Sequence, residues 1–151
     1  MSERLVASNK RARKDYEILE TFEAGLVLAG TEVKSLRNGQ ADLKGGYARI
    51  DGEEVWLYDC HIPRYKQGGY VNHEPRRPRK LLLNKQEIRR LTGKTSQKGV
   101  TMIPLRIYFR GSWAKVEIAL ARARLKGDRR HRLAEETDRR EMQQAMDRRR
   151  G

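Results

Sequence analysis

The chain reads as mainly β: a small barrel with short flanking helices and a basic C-terminal tail. Three observations predict this. Short runs of β-branched and aromatic residues recur between turn signals in the central part of the chain. Two hairpin signals stand within those runs. The strands never alternate with long helical segments as a βαβ series would. A chain of 151 residues suits one compact domain. A closed or partly open barrel of the OB type fits, and a mixed α+β sandwich fits the same pattern.

The composition divides the chain into three zones: a basic leader over 1–14, a body over 15–121 and an arginine-rich tail over 122–151. Within the body, residues 16–28 predict one long bent strand or two short ones, interrupted near Glu23-Ala24-Gly25. Thr31 is the expected N-cap of a short helix, with Glu32 in the first turn, where a carboxylate suits the helix dipole, and Gly39 as the stop. Strands are expected over 47–50 and 55–60, joined by a type I′ turn at Asp51-Gly52. Asn84 and Glu87 form a capping box, Leu83 and Ile88 a hydrophobic staple, and Gly93 the stop of a second helix. Ile103, Leu105, Ile107 and Phe109 alternate, as do Ala114, Val116, Ile118 and Leu120, with a turn at 110–112. Pro104 cannot donate to a ladder, so it predicts an edge or a bulge.

Charge narrows the function. The formal net charge is +14, while apolar residues make up only 37% of the chain. An excess of this size points to a polyanion partner, and nucleic acid leads. Basic residues cluster at the start of the chain, again from Arg76-Arg77-Pro78-Arg79-Lys80 through Lys85, Arg89, Arg90, Lys94 and Lys98, and again in the tail. One such run is usually a solvated surface; three favour RNA or DNA, where cations displace counterions from phosphates. Tyr47, Trp56, Tyr58, Tyr65, Tyr70, Tyr108 and Trp113 are candidate stacking platforms, although most strand aromatics belong to the core. Tyr65 and Tyr70, flanking Gly68-Gly69, are the two expected in an exposed loop. In the tail, Glu135-Arg139 and Glu136-Arg140 have helical i,i+4 spacing over a thin apolar stripe. The expectation is a segment disordered alone and helical along RNA.

Other function classes find less support. The longest apolar stretch, residues 24–30, is too short to span a bilayer, and the N-terminus opens no signal-peptide pattern, so the expected location is the cytosol. Cys60 is the sole cysteine, which excludes an internal disulfide. Cys60, His61 and His73 lack the paired spacing of a zinc site. No nucleotide-binding glycine loop or hydrolase motif is present. A metal-free nuclease built on His61, His73 and Lys66 would need those groups to converge. The reading is therefore a binding protein without catalytic activity, cofactor or metal.

Several separated motifs then point to a family. Asn9-Lys10-Arg11-Ala12-Arg13, Phe22-Glu23-Ala24-Gly25, Gly30-Thr31-Glu32-Val33-Lys34-Ser35-Leu36-Arg37 and Arg79-Lys80-Leu81-Leu82-Leu83 resemble the SmpB family. The likeness continues through 105–108 and 115–117 and covers about residues 5 to 132. It implies an OB-like barrel that binds the tRNA-like domain of tmRNA and delivers it to stalled ribosomes for trans-translation. The RNA-binding residues implied are Asn9, Lys10, Arg11, Arg13, Glu32, Lys34, Arg37, Arg79 and Lys80. For Glu32 the resemblance favours accepting hydrogen bonds from bases; helix stabilisation is the other reading. The resemblance further implies a tail that probes the empty decoding site and mRNA channel of the small subunit and its rRNA. Elongation factor Tu and alanyl-tRNA synthetase are implied as partners reached through tmRNA. The tail departs from the family's Gly-Lys-Lys and Asp-Lys-Arg: Ala123-Arg124-Leu125 and Asp128-Arg129-Arg130 stand there. Arg124, Asp128, Arg129 and Arg130 are the expected decoding-site residues. A general OB-type RNA chaperone or ribosome-associated protein without tmRNA specificity is the alternative.

Overall fold

The computed structural model describes residues 3–124. The expectations for the tail, including Asp128, Arg129 and Arg130, lie outside the described residues. In chain order the elements are β1 (Glu3–Ser8), α1 (Ala12–Asp15), β2 (Tyr16–Leu26), α2 (Gly30–Arg37), β3 (Tyr47–Asp51), β4 (Glu54–Tyr58), β5 (Arg79–Leu82), α3 (Lys85–Thr95), β6 (Val100–Arg110) and β7 (Trp113–Ala123). The strands pair in the order β1-β6-β3-β4-β5-β2-β7, and β6 also pairs with β7. That last pairing closes the circuit β6-β3-β4-β5-β2-β7 into a barrel, with β1 added on the outer edge of β6. The architecture is thus the mainly antiparallel barrel with short helices that the sequence predicts.

β6 organises the barrel. Its whole length pairs with β7, from Val100↔Arg122 to Arg110↔Trp113. Its other edge meets β3 at Met102 and β1 from Arg106 onward. Pro104 lies between those two partners, where a missing N–H costs no ladder bond. The register shifts between Pro104 and Arg106, the bulge that proline predicts. The bulge also inverts the side-chain parity. Met102, Ile107 and Phe109 therefore enter the barrel core with Val116, Ile118 and Leu120. Ile103 and Leu105 turn to the opposite side, where they form a second cluster with Ala12, Ala119 and Ala121. Residues 103–109 are accordingly not one continuous alternating face.

Other local expectations are met or corrected on physical grounds. β2 runs unbroken through Gly25, where a Cβ would come within 3.3 Å of the Leu82 Cβ, so the glycine permits the close pairing with β5. In the β3–β4 hairpin, Asp51 pairs with Glu54, so the loop residues are Gly52 and Glu53. Gly52 alone has positive φ, at +69°, which is the pattern of a type II′ turn rather than I′. The α3 capping box forms, with Glu87 N–H donating to Asn84 Oδ1 at 2.8 Å and Asn84 N–H to Glu87 Oε1 at 3.2 Å. The helix passes through Gly93 to Thr95. An exposed mid-helix glycine costs only about 1 kcal/mol, too little to stop a helix held to the core by Ile88 and Leu91. Two strands escaped the sequence reading. β1 lies in the basic leader, and β5 begins with Arg79-Lys80, whose charges hide its period.

Candidate nucleic-acid interface

Helix α2 begins at Gly30, with Ala29 rather than Thr31 as its N-cap. Alanine has no capping oxygen, so Glu32 supplies half of a capping box: the Ala29 N–H donates to Glu32 Oε1 at 2.7 Å. The rest of that carboxylate is consumed inside the protein. Arg77 donates to both oxygens, at 2.8 Å and 2.6 Å. Arg79 Nε donates to Oε2 at 2.7 Å, and its remaining nitrogens reach Cys60 O at 2.7 Å and Pro75 O at 2.9 Å. The side chains of Glu32 and Arg79 are both 0% exposed. Burial alone would raise the Glu32 carboxyl. The Arg77 and Ala29 hydrogen bonds and the Arg79 charge outweigh it and hold the group below the ordinary carboxylate range. With each Arg79 nitrogen engaged at least once, the buried pair is tolerated. In this conformation neither Glu32 nor Arg79 presents a surface to RNA, so direct base contact by Glu32 is not available. Its oxygens hold the helix start and the 75–79 segment together.

The same helix is fixed along its length to the connection before β5. Thr31 Oγ1 lies 2.8 Å from His73 Nδ1, and His73 Nε2 lies 2.8 Å from Ile62 O. Ser35 Oγ donates to Pro63 O at 2.6 Å. At the far end, Arg4 of β1 donates to the Arg37 carbonyl, a cation at the negative end of the helix dipole. The charged side chains that α2 leaves in solvent are Lys34 and Arg37. Lys34 Nζ stands 5.6 Å from the Tyr65 ring centroid, and the Arg37 guanidinium 4.7 Å from that of Phe109. Neither has an ion-pair partner among the described residues. An arginine or lysine steered by a ring and not neutralised keeps its charge for an outside anion.

The N-terminal turn is placed by the β6 bulge. The backbone N–H of Asn9 donates to Leu105 O at 2.7 Å, and its Nδ2 to Pro104 O at 3.1 Å. Asn9 is thereby an anchor for the turn from which Lys10, Arg11 and Arg13 project into solvent. Asn9 and Arg11 border a cleft of about 470 Å³ whose opposite wall includes Lys44, Gly45, Gly46 and Tyr47. Sequence reading missed Lys44, a single cation in a glycine-rich loop with no run around it. Lys80 lies elsewhere, paired with Glu54 at 3.0 Å, in a cleft with Lys85 and Arg89. Arg124 is exposed, and its N–H donates to Asp15 O at 2.9 Å. The predicted residues thus fall into an α2 group, an N-terminal turn group, a buried pair and a separate Lys80 group.

The aromatics divide as well. Tyr108 is buried, its hydroxyl donating to Glu23, and its pKa is raised by burial and by that carboxylate. Tyr47 and Tyr58 stack on each other with centroids 5.4 Å apart. Tyr70 and Trp113 are exposed at 99% and 69%. Of the three candidate nuclease groups, His73 has both ring nitrogens engaged, by Thr31 and Ile62. Burial pushes the Cys60 thiol up to about 12, which keeps it protonated and inert. Among the described residues there is no cluster of metal-ligating side chains, and no helix is long and apolar enough to cross a membrane.

A locked helix displaying cations on a closed barrel coincides with a family-level match: the model described as SmpB protein matches residues 6–148. The chain belongs to the SmpB family. It is 58% identical to the SsrA-binding protein of Acidothermus cellulolyticus, over 97% of this chain and 92% of that one. It is 57% identical to that of Thermobifida fusca, over 96% and 91%. A solved chain described as "tmRNA-SmpB: a journey to the center of the bacterial ribosome" superposes with a TM-score of 0.71 at 50% identity, over 84% of this chain and 93% of that one. The SmpB motifs in the sequence therefore include both the exposed cations and the buried pair that supports them.

Proposed function

We propose that this SmpB-family chain is a tmRNA-binding adaptor for trans-translation, which holds the tRNA-like domain of tmRNA and delivers it to stalled ribosomes. The observation that carries this reading is Lys34 and Arg37 left in solvent on a helix whose first turn is locked by buried Glu32 and Arg79. That arrangement presents fixed cations to phosphates, with no carboxylate among the described residues paired to them. The relatives named SsrA-binding protein and the tmRNA–SmpB ribosome structure support the same reading. Lys34, Arg37, Lys10, Arg11 and Arg13 make the RNA contacts, Asn9 fixes the N-terminal turn, and Lys80 serves a separate contact. Glu32 and Arg79 act as positioning residues. Residues 15–121 form the RNA-holding body, 1–14 its basic leader, and 122–151 the tail that enters the decoding site and mRNA channel through Arg124, Asp128, Arg129 and Arg130.

The adaptor works in the cytosol and makes or breaks no bond itself; elongation factor Tu and alanyl-tRNA synthetase meet it through tmRNA. Gel-shift titration tests the first step. The expected result is salt-sensitive tmRNA binding at about nanomolar Kd, with much weaker binding of an unrelated structured RNA. Equal binding of both would reject the adaptor reading in favour of a general RNA chaperone. Deleting residues 125–151 should spare tmRNA binding and abolish tagging on stalled ribosomes in a reconstituted translation assay.

A further inference from the structure

The connection before β5 carries a feature that the cationic surface does not explain. Tyr70 is 99% exposed and Val71 75% exposed, side by side. They sit on a built turn. Val71 N–H donates to Gly68 O at 3.2 Å, and Gly69 takes φ +60° and ψ −138°, the first central position of a type II′ turn. Asn72 closes the loop beneath the tip. Its Oδ1 accepts from the Tyr65 N–H at 3.1 Å, and its Nδ2 donates to Tyr65 O at 2.7 Å and Gly69 O at 3.3 Å. The loop is also seated against α2. A Cβ at Gly68 would lie 2.8 Å from Asn72 Nδ2 and 3.2 Å from Thr31 Cγ2, so a side chain there would push the Asn72 amide from its place. Next to it, His73 bonds Thr31 and Tyr65 lies under Lys34.

We propose that Tyr70 is a base-stacking residue that takes an unpaired nucleobase of tmRNA, continuing the α2 contact surface beyond Lys34. The proposal rests on the adaptor reading and deepens it. A tyrosine ring open on both faces offers a π-surface that any base can cover, and its fixed turn removes most of the ordering cost. The charges around it suit RNA: Arg64, Lys66, Arg76 and Lys34 are exposed near this loop, with Glu74 the only carboxylate between 64 and 78.

The test is a tmRNA titration with Tyr70→Ala, Tyr70→Phe and Lys34→Ala across a salt series. Tyr70→Ala should weaken binding by roughly 5- to 150-fold, the span of one lost base stack, with an unchanged melting temperature. Tyr70→Phe should keep native affinity. Stacking and phosphate contact separate by salt: Tyr70→Ala should leave the slope of log K against log salt unchanged, whereas Lys34→Ala should make it shallower by about 0.7–0.9. Native affinity in Tyr70→Ala, while Lys34→Ala binds more weakly, would overturn the stacking site and leave the adaptor reading intact. A defect in Tyr70→Ala that appears only in tagging on ribosomes would assign the tip to another partner and also overturn it. If the native chain shows no preference for tmRNA, both readings fall.

Discussion

On the outer face of β1, β6, β7 and β2, Arg106 and Arg110 stand among three carboxylates. Arg106 pairs with Glu117 at 2.9 Å and Glu3 at 3.4 Å; Arg110 pairs with Glu3 at 2.7 Å and Glu23 at 2.8 Å. Both guanidiniums also flank the Tyr108 ring. On α2 the pattern is reversed: the carboxylate is buried with Arg77 and Arg79, and Lys34 and Arg37 have none among the described residues. The first face spends its arginines on joining four strands, and the second keeps its cations for a partner. A count of basic residues therefore overstates the RNA footprint, because part of the positive charge is already neutralised by the fold.

The comparison is broken most severely at Glu32. Glu32→Ala leaves Arg79 buried without its counter-charge, and the expected cost is about 3–5 kcal/mol, read as a lower urea midpoint with RNA affinity falling alongside. Lost affinity with an unchanged midpoint would instead restore base readout by Glu32. Arg37→Ala should do the opposite. Stability changes by about 1 kcal/mol or less, while tmRNA affinity drops and its salt slope becomes shallower. Acid titration of the melting temperature sharpens the contrast. Glu32 and Glu3 both have pKa values held below the ordinary 4.5, Glu3 chiefly by its hydrogen bond from Arg110. Groups depressed on folding stabilise above their unfolded pKa and lose that contribution as pH falls through the folded one. Stability should therefore fall below about pH 4.5, and Glu32→Gln and Glu3→Gln should each flatten that fall. The smallest effect is expected for Arg106→Ala: a modest drop in melting temperature that shrinks as salt rises, with tmRNA affinity unchanged.

Much of this was legible before folding, for identifiable reasons. The hairpin at Asp51–Glu54, the Asn84–Glu87 box and the Pro104 bulge are local, since each depends on residues within a few positions. β1 and β5 were hidden because their periods are masked by charge and their partners, β6 and β4, are distant in sequence. The exposure of Tyr70 was legible from Gly68-Gly69; its fixed posture was not, because Asn72 and Thr31 supply it from outside the turn.

The amino-acid sequence by itself determined a small β domain, a large positive charge and a set of motifs typical of one family. Only the tertiary structure decided which charges face inward. Glu32 and Arg79 are 47 positions apart, and whether a glutamate accepts from a base or from a buried guanidinium depends on what folding brings within 3 Å of it. Side-chain chemistry sets what a residue is able to bind, and long-range packing sets what remains within its reach.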